Sequence, residues 1–193
     1  METTSDTKQL VLNLQGGSPE ALGGLYDQYN RLVYRTALGI LGEPETASDL
    51  LQEVFLRLYR FAKRIDPDRP LEPWLYRMTV NLSYTWVKRR RWLQPLEDIA
   101  DWLAGDRRQQ PSVQYEENEI IDLVAKAITH LPLPQRSVIV LYYINDCSLQ
   151  EVSEILAIPA GTVKSRLHYA RLTLKEYMDV HGDAQKGLNL EYT

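Results

Sequence analysis

The sequence is poor in the residues that build metal, redox and covalent-catalysis sites. Its single cysteine, Cys147, has no internal disulfide partner, and the three histidines, His130, His168 and His181, stand at no spacing that suits a zinc ligand set. No glycine-rich phosphate loop and no nucleophile-base arrangement appears, so the expectation is a protein without metal, cofactor or catalytic residues. Long apolar runs are missing too. The longest near the middle, Val138 to Ile144, falls far short of the roughly 20 residues needed to cross a bilayer. The opening Met-Glu-Thr-Thr-Ser-Asp has neither the basic nor the apolar segment of a signal peptide, which leads to the expectation of a cytoplasmic protein. Strand-like alternation never persists. With 44% hydrophobic and 25% charged residues the composition is that of an ordinary globular protein, excluding collagen-like and largely disordered classes.

What is present is helical periodicity. Ser18-Pro19-Glu20 supplies an N-cap and a proline in the first turn after the Gly16-Gly17 break, and Leu22, Leu25, Tyr26, Tyr29, Leu32 and Val33 then form one apolar stripe, ending near Gly42. A second helix opens at Pro44 and buries Leu50, Leu51, Val54, Phe55 and Leu58. "RIDPDRPLEP" carries three prolines in ten residues and reads as a loop, after which a third helix runs from Trp74 to about Trp92. Residues 97–122 then hold eight carboxylates against Arg107 and Arg108, the composition of an anionic tether. Beyond it, helices broken at Leu131-Pro132, Asn145-Asp146 and Ile158-Pro159 make a second domain. The expected fold is all-α: an N-terminal tail (1–17), a first helical domain (18–94), an acidic linker (95–119), a second helical domain (120–178) and a flexible C-terminal tail (179–193).

Within the second domain, Ser148 and Glu151 stand at capping-box spacing, and Val152, Ile155 and Leu156 form the inner face of the helix they open. A short turn over Ala157-Ile158 leads to Pro159 and another helix. At 100° per residue, Val163, Leu167, Ala170 and Leu174 cluster within about 60° and must face inward. Outward then point Ser165 and Tyr169, with Lys164, His168, Arg171 and Lys175 on one flank and Thr162 and Arg166 on the other. Hydroxyls, cations and one ring on a helix after a capped partner suit phosphate contacts and base edges in a major groove. The chain is acidic overall, at −4, yet this face is cationic.

A second basic patch lies in the first domain. Between Arg60 and Arg91 nine basic residues oppose three acidic ones, interleaved with Trp74, Tyr76, Tyr84 and Trp86 and followed by Trp92. Cations among aromatics are the means by which proteins hold unpaired bases, at roughly 1–3 kcal/mol of stacking per base. In the preceding helix, Asp49, Gln52, Glu53, Arg57 and Arg60 share a polar face by i, i+3, i+4 spacing, either a solvated surface or a docking surface for a protein.

"DLLQEVFLRLY", "WLYRMTVNLSYTWVKRRR", "LPLPQRSVIVL" and "GTVKSRLHYAR", in that order and separated by the acidic segment, resemble the extracytoplasmic-function (ECF) sigma factors of bacterial RNA polymerase. The resemblance spans about residues 20–178 and implies a subunit, not an enzyme, with core RNA polymerase, promoter DNA and an anti-sigma factor as partners. Carried over by motif, Asp49, Gln52 and Glu53 would dock the clamp helices of the β′ subunit. The loop from Ile65 and Asp66 to Pro73, with Arg77, Asn81, Tyr84 and Trp86, would capture a flipped base of the non-template −10 strand, and Lys88, Arg89 and Arg90 would hold the adjoining backbone. Arg136, Thr162, Lys164, Ser165, Arg166, His168, Tyr169 and Arg171 would read the −35 duplex. The linker would run through the polymerase cleft. Thr85 and Tyr169 depart from the family's usual Asp and basic residue, which bears on promoter preference. A stand-alone helix-turn-helix repressor is the rival reading; it would ordinarily dimerise, and no heptad serves that purpose.

Overall fold

The computed structural model describes the backbone of residues 2–93 and 116–190 and the side chains of residues 6–90 and 121–181. Among these residues the fold is entirely helical. The elements are α1 (Glu2–Gln15), α2 (Pro19–Leu41), α3 (Pro44–Phe61), a 3₁₀ turn (Ala62–Arg64), α4 (Glu72–Leu93), α5 (Glu116–His130), α6 (Leu133–Ile139), a wider π turn (Val140–Ile144), α7 (Leu149–Leu156) and α8 (Ala160–Leu190). Most of the acidic linker lies outside the described residues.

The helix boundaries follow local chemistry. Ser18 caps α2 by accepting from the Ala21 amide at 3.2 Å, and Gly42 closes it at φ 79°, the left-handed conformation that glycine adopts without a Cβ penalty. At the start of α7 both halves of the capping box form: the Glu151 amide donates to Ser148 Oγ at 3.2 Å, and the Ser148 amide donates to Glu151 Oε2 at 2.7 Å. The chain leaves α7 through Ala157 at φ 52°, and the Ile158 amide returns to the Ser153 carbonyl at 3.1 Å.

Both expected tails take a different form. Residues Glu2–Gln15 are helix α1, which buries Val11 and Leu14 in the first core. Gly24 on α2 leaves the notch that accepts Leu10: a Cβ there would stand 3.0 Å from Leu10 Cδ2. Helix α8 runs on to Leu190, through the glycines expected to end it, because isolated glycines lower helix stability by only about 1 kcal/mol each.

The apolar residues form two cores. The first gathers α1, α2, α3 and one side of α4 around Leu25, Val33, Leu50, Val54, Leu58 and Leu75. The second gathers Leu131, Val138, Leu141, Val152, Ile155, Val163 and Leu167, together with Ile40, Tyr76 and Val80 from the first half. The two halves are therefore packed together, with α4 between them. At the seam Gly39 faces Val140, and a Cβ there would come within 2.9 Å of Val140 Cγ2.

Candidate nucleic-acid interface

The outward face of α8 is the arrangement the sequence pattern requires. Val163, Leu167 and Ala170 are buried, which turns Lys164, Ser165, His168, Tyr169 and Arg171 to solvent and leaves Thr162 and Arg166 half-buried at the margins. Tyr169 is 58% exposed, unusually open for an aromatic side chain, and its ring lies edge-on to His168 at 5.5 Å between centroids. Arg171 Nε donates to the Leu167 carbonyl of its own helix at 3.2 Å, and Ser165 Oγ to the Thr162 carbonyl at 3.0 Å. Lys164 and His168 make no hydrogen bond or ion pair among the described residues. A cationic, donor-rich helix face preceded by a capped helix and a tight turn can enter a major groove.

Arg136 belongs elsewhere. Its guanidinium donates to the Ile40 carbonyl at 2.6 Å, the Leu131 carbonyl at 3.0 Å and the Thr129 carbonyl. Burial lowers its pKa from the ordinary arginine value. Those three acceptors tie the α5–α6 junction to the end of α2, so in this arrangement the side chain serves packing and offers nothing to a phosphate.

On the first half, the loop of residues 65–71 is pinned at its ends by Ile65 and Leu71, both buried, while Asp66, Asp68, Arg69 and Pro70 are exposed. Ile65 is thus an anchor of the loop, with its side chain in the core. Asp66 organises the tip: its carboxylate accepts from the Asp68 amide at 3.0 Å and pairs with Arg69 at 3.3 Å. Asn81 is exposed and Trp86 is half-buried against the first core. Lys88 and Arg89 are exposed, whereas Arg90 grips both oxygens of Glu43 at 2.6 and 2.7 Å. Burial pushes the Glu43 carboxyl up, but the hydrogen bonds from Arg90 and Thr46, with the Arg90 charge, hold it below the usual glutamate range.

Arg77 and Tyr84 face the other half. Arg77 Nε donates to the Ile155 carbonyl at 3.1 Å and its terminal amino group to the Glu154 carbonyl, both at the C-terminal turn of α7. The Tyr84 hydroxyl accepts from Ser137 Oγ at 3.3 Å. Alongside, Asn145 bridges the halves, its Nδ2 donating to Thr36 Oγ1 at 3.0 Å while its Oδ1 accepts from Arg35 Nε at 3.2 Å. In this arrangement the three residues Arg77, Tyr84 and Arg136 are committed to the contact between halves.

The polar face of α3 is intact. Asp49 and Gln52 are exposed, and Glu53 pairs with Arg57 at 2.7 Å. The sequence pattern misses Leu56 and Tyr59, 51% and 44% exposed on the same side one and two turns further on. Their signal was an apolar residue out of phase with the buried stripe, Leu56 standing three residues after Glu53 and four after Gln52.

Two helical modules, one with a cationic exposed helix face and the other with a basic surface beside an exposed loop, have the surface chemistry of a nucleic-acid-binding protein. Comparison with known proteins names the kind. Residues 25–93 match the family Sigma-70 region 2, and residues 121–174 match Sigma-70, region 4. The chain is 30% identical over 179 residues to the ECF RNA polymerase sigma factor SigW of Bacillus subtilis, covering 89% of this chain and 96% of the relative. It is 33% identical over 159 residues to the ECF RNA polymerase sigma factor SigL of Mycobacterium tuberculosis, covering 79% and 88%. Among solved structures, the complex of CnrH with the cytosolic domain of CnrY matches with a TM-score of 0.67 at 20% identity, over 91% of this chain and 98% of that one. The sigma factor RpoE from Bartonella quintana, solved with the anti-sigma factor NepR, matches with a TM-score of 0.63 at 20% identity, over 82% and 96%. The chain belongs to the ECF sigma factors, the subunits that direct RNA polymerase to promoters for specific transcription initiation, and the rival repressor reading falls with that assignment. No described helix is long and apolar enough to cross a membrane.

Proposed function

We propose that the exposed face of α8, from Thr162 to Arg171, reads the −35 element as duplex, and that the 65–73 loop with Asn81, Lys88 and Arg89 holds the unpaired −10 strand. The observation that carries this reading is the partition on α8: Val163, Leu167 and Ala170 are buried, while Lys164, His168, Tyr169 and Arg171 are exposed and Arg166 is half-buried at the margin. Asp49, Gln52 and Glu53, extended by Leu56 and Tyr59, form the face for the β′ clamp helices, and the acidic linker occupies the polymerase cleft by mimicking the charge of nucleic acid. Melting follows from differential affinity: a surface that binds unstacked bases and gives nothing comparable to paired ones shifts the equilibrium toward the open promoter. The chain acts in the cytoplasm as a non-catalytic subunit. An anti-sigma factor is its regulatory partner, as in the complexes of the similar sigma factors.

The test is in-vitro transcription with core polymerase, this protein and a promoter library randomised at both elements. Specific initiation is expected. Lys164→Ala weakens −35 binding by a similar factor on every sequence and lowers the salt slope by about 1, as loss of one phosphate contact does. Tyr169→Ala instead changes preference at one base position. Transcription insensitive to both changes overturns the assignment.

A further inference from the structure

The promoter-reading loop is braced by a helix that the sequence reading treats as a tail. Gln15, the last residue of α1, points its side-chain amide at the base of the loop and donates to two carbonyls, Ala62 at 3.1 Å and Ile65 at 2.8 Å. Both acceptors lie where the chain leaves α3 and begins the loop; the Ala62 carbonyl also accepts the Ile65 amide at 3.0 Å, so Gln15 adds a second donor at that turn. Two turns earlier on α1, Lys8 Nζ meets Asp68 Oδ1 at the loop tip, 2.5 Å away. At the exit of the loop, the Tyr29 hydroxyl bonds Glu72 Oε1 at 3.3 Å and shares a 3.2 Å hydrogen bond with Thr7 of α1. Entry, tip and exit of one exposed loop are thus all connected to the same helix.

That helix is rigidly seated. Val11 and Leu14 are 2% exposed, Leu10 fills the notch at Gly24, and the turn into α2 is only three residues long. Of the three connections, the Lys8–Asp68 pair is the weakest, because both side chains are at least half exposed and screened by water. Gln15 is half-buried and satisfies two main-chain acceptors with one amide, so it fixes the backbone of the loop where a side-chain ion pair fixes only its tip.

We infer that α1 is part of the −10 recognition apparatus, with Gln15 a positioning residue that sets the shape of the 65–71 loop and so the discrimination among flipped bases. This rests on the reading that the loop receives such a base. The experiment uses holoenzyme assembled from core polymerase and the full chain, and reads the ratio of open complexes on two promoters differing at one −10 base. A second pair, differing at one −35 base, is the control. Because each readout is a ratio within one preparation, a variant that is partly unfolded loses activity on both promoters without moving it. Gln15→Met, which is unbranched and helix-forming but has no donor, is expected to lower −10 discrimination by about five- to tenfold, the worth of two lost hydrogen bonds, with −35 discrimination unchanged. Gln15→Lys, which can donate to both carbonyls, restores at least half of it. If Gln15→Met discriminates like the wild type while Asp66→Ala does not, the loop reads DNA but the brace is irrelevant and the inference is overturned. If Asp66→Ala also discriminates like the wild type, the loop is no reader, and the proposed function of the loop falls together with the inference.

Discussion

Ala157 occupies a left-handed backbone conformation, φ 52° and ψ 46°, at the turn between α7 and α8. A side chain with a Cβ adopts it at a cost of roughly 1 kcal/mol, which glycine does not incur. Ala157→Gly is therefore expected to leave DNA binding unchanged and to stabilise the native protein by up to about 1 kcal/mol, less the extra freedom glycine gains in the unfolded chain; urea denaturation of the two proteins measures the difference. The sign comes from a φ angle that the sequence alone does not disclose. Outward-facing residues such as Tyr169 and Lys164 were legible for a simple reason: on a regular helix, placing Val163, Leu167 and Ala170 inward fixes where every other side chain points. Arg77, Tyr84 and Arg136 were not legible in the same way. A cationic or phenolic side chain looks the same in sequence whether it meets a phosphate or a backbone carbonyl on another helix, and all three meet the latter type of contact or a serine hydroxyl here.

At the scale of the element, the start of α7 carries the clearest energetic signature. Its capping box was visible in the Ser148–Glu151 spacing and both bonds form. Ser148→Ala should cost about 1 kcal/mol, seen as a lower melting temperature. The hydrogen bonds from Ser148 hold the Glu151 carboxyl below the ordinary glutamate pKa. A carboxyl depressed in the folded state contributes stability that is present above its unfolded pKa and disappears as pH falls through the folded value. Glu151→Gln, which still offers an oxygen to the Ser148 amide, is expected to flatten this part of the acid limb in pH-dependent denaturation. Helix α1 shows the opposite case, an element the sequence pattern did not reveal. Its burial depends on Leu10, Val11 and Leu14, a short apolar group beside many polar residues, and on the glycine notch across from it, so its value is tertiary and not periodic.

The whole molecule presents a conflict that neither half contains. Elements named −35 and −10 are separated by roughly 25 base pairs, about 85 Å of duplex at about 3.4 Å per pair, yet the two surfaces proposed to read them sit on modules in direct contact. On the proposed assignment one closed chain cannot occupy both elements, so the halves are expected to part when the polymerase is engaged. Gly39 gives a handle on that step, since any side chain there meets Val140 across the seam. Gly39→Leu is expected to enlarge the radius of gyration in small-angle X-ray scattering while the −35 duplex still binds. Cys147 reports the same event chemically. It is buried beside Tyr76 in the shared core, and burial, with the nearby Glu151 charge, pushes its pKa up to about 11, so at neutral pH it is a protected thiol. Alkylation should be slow in the free protein and several-fold faster in Gly39→Leu or in holoenzyme on promoter DNA; equal rates in all three would mean that the seam never opens.

The shared core hid from the sequence because it is made of residues that each half already seemed to explain. Ile40, Tyr76 and Val80 lie on helices whose principal apolar faces point elsewhere, and only with both halves folded does a second apolar side of α4 become apparent. All-α class, helix breaks and the cationic face of α8 follow from local patterning. How the modules meet depends on surfaces about 50 to 110 residues apart in the chain, from Tyr84 with Ser137 (53 apart) to Thr36 with Asn145 (109 apart), which no local window samples.

The clasp formed by Arg35, Thr36 and Asn145 joins two parts of a single chain. Its closure is therefore an intramolecular equilibrium, indifferent to dilution, and lowering the protein concentration will never release it. Release belongs to whichever ligand binds the parted form more tightly, by a factor that must at least match the closing constant.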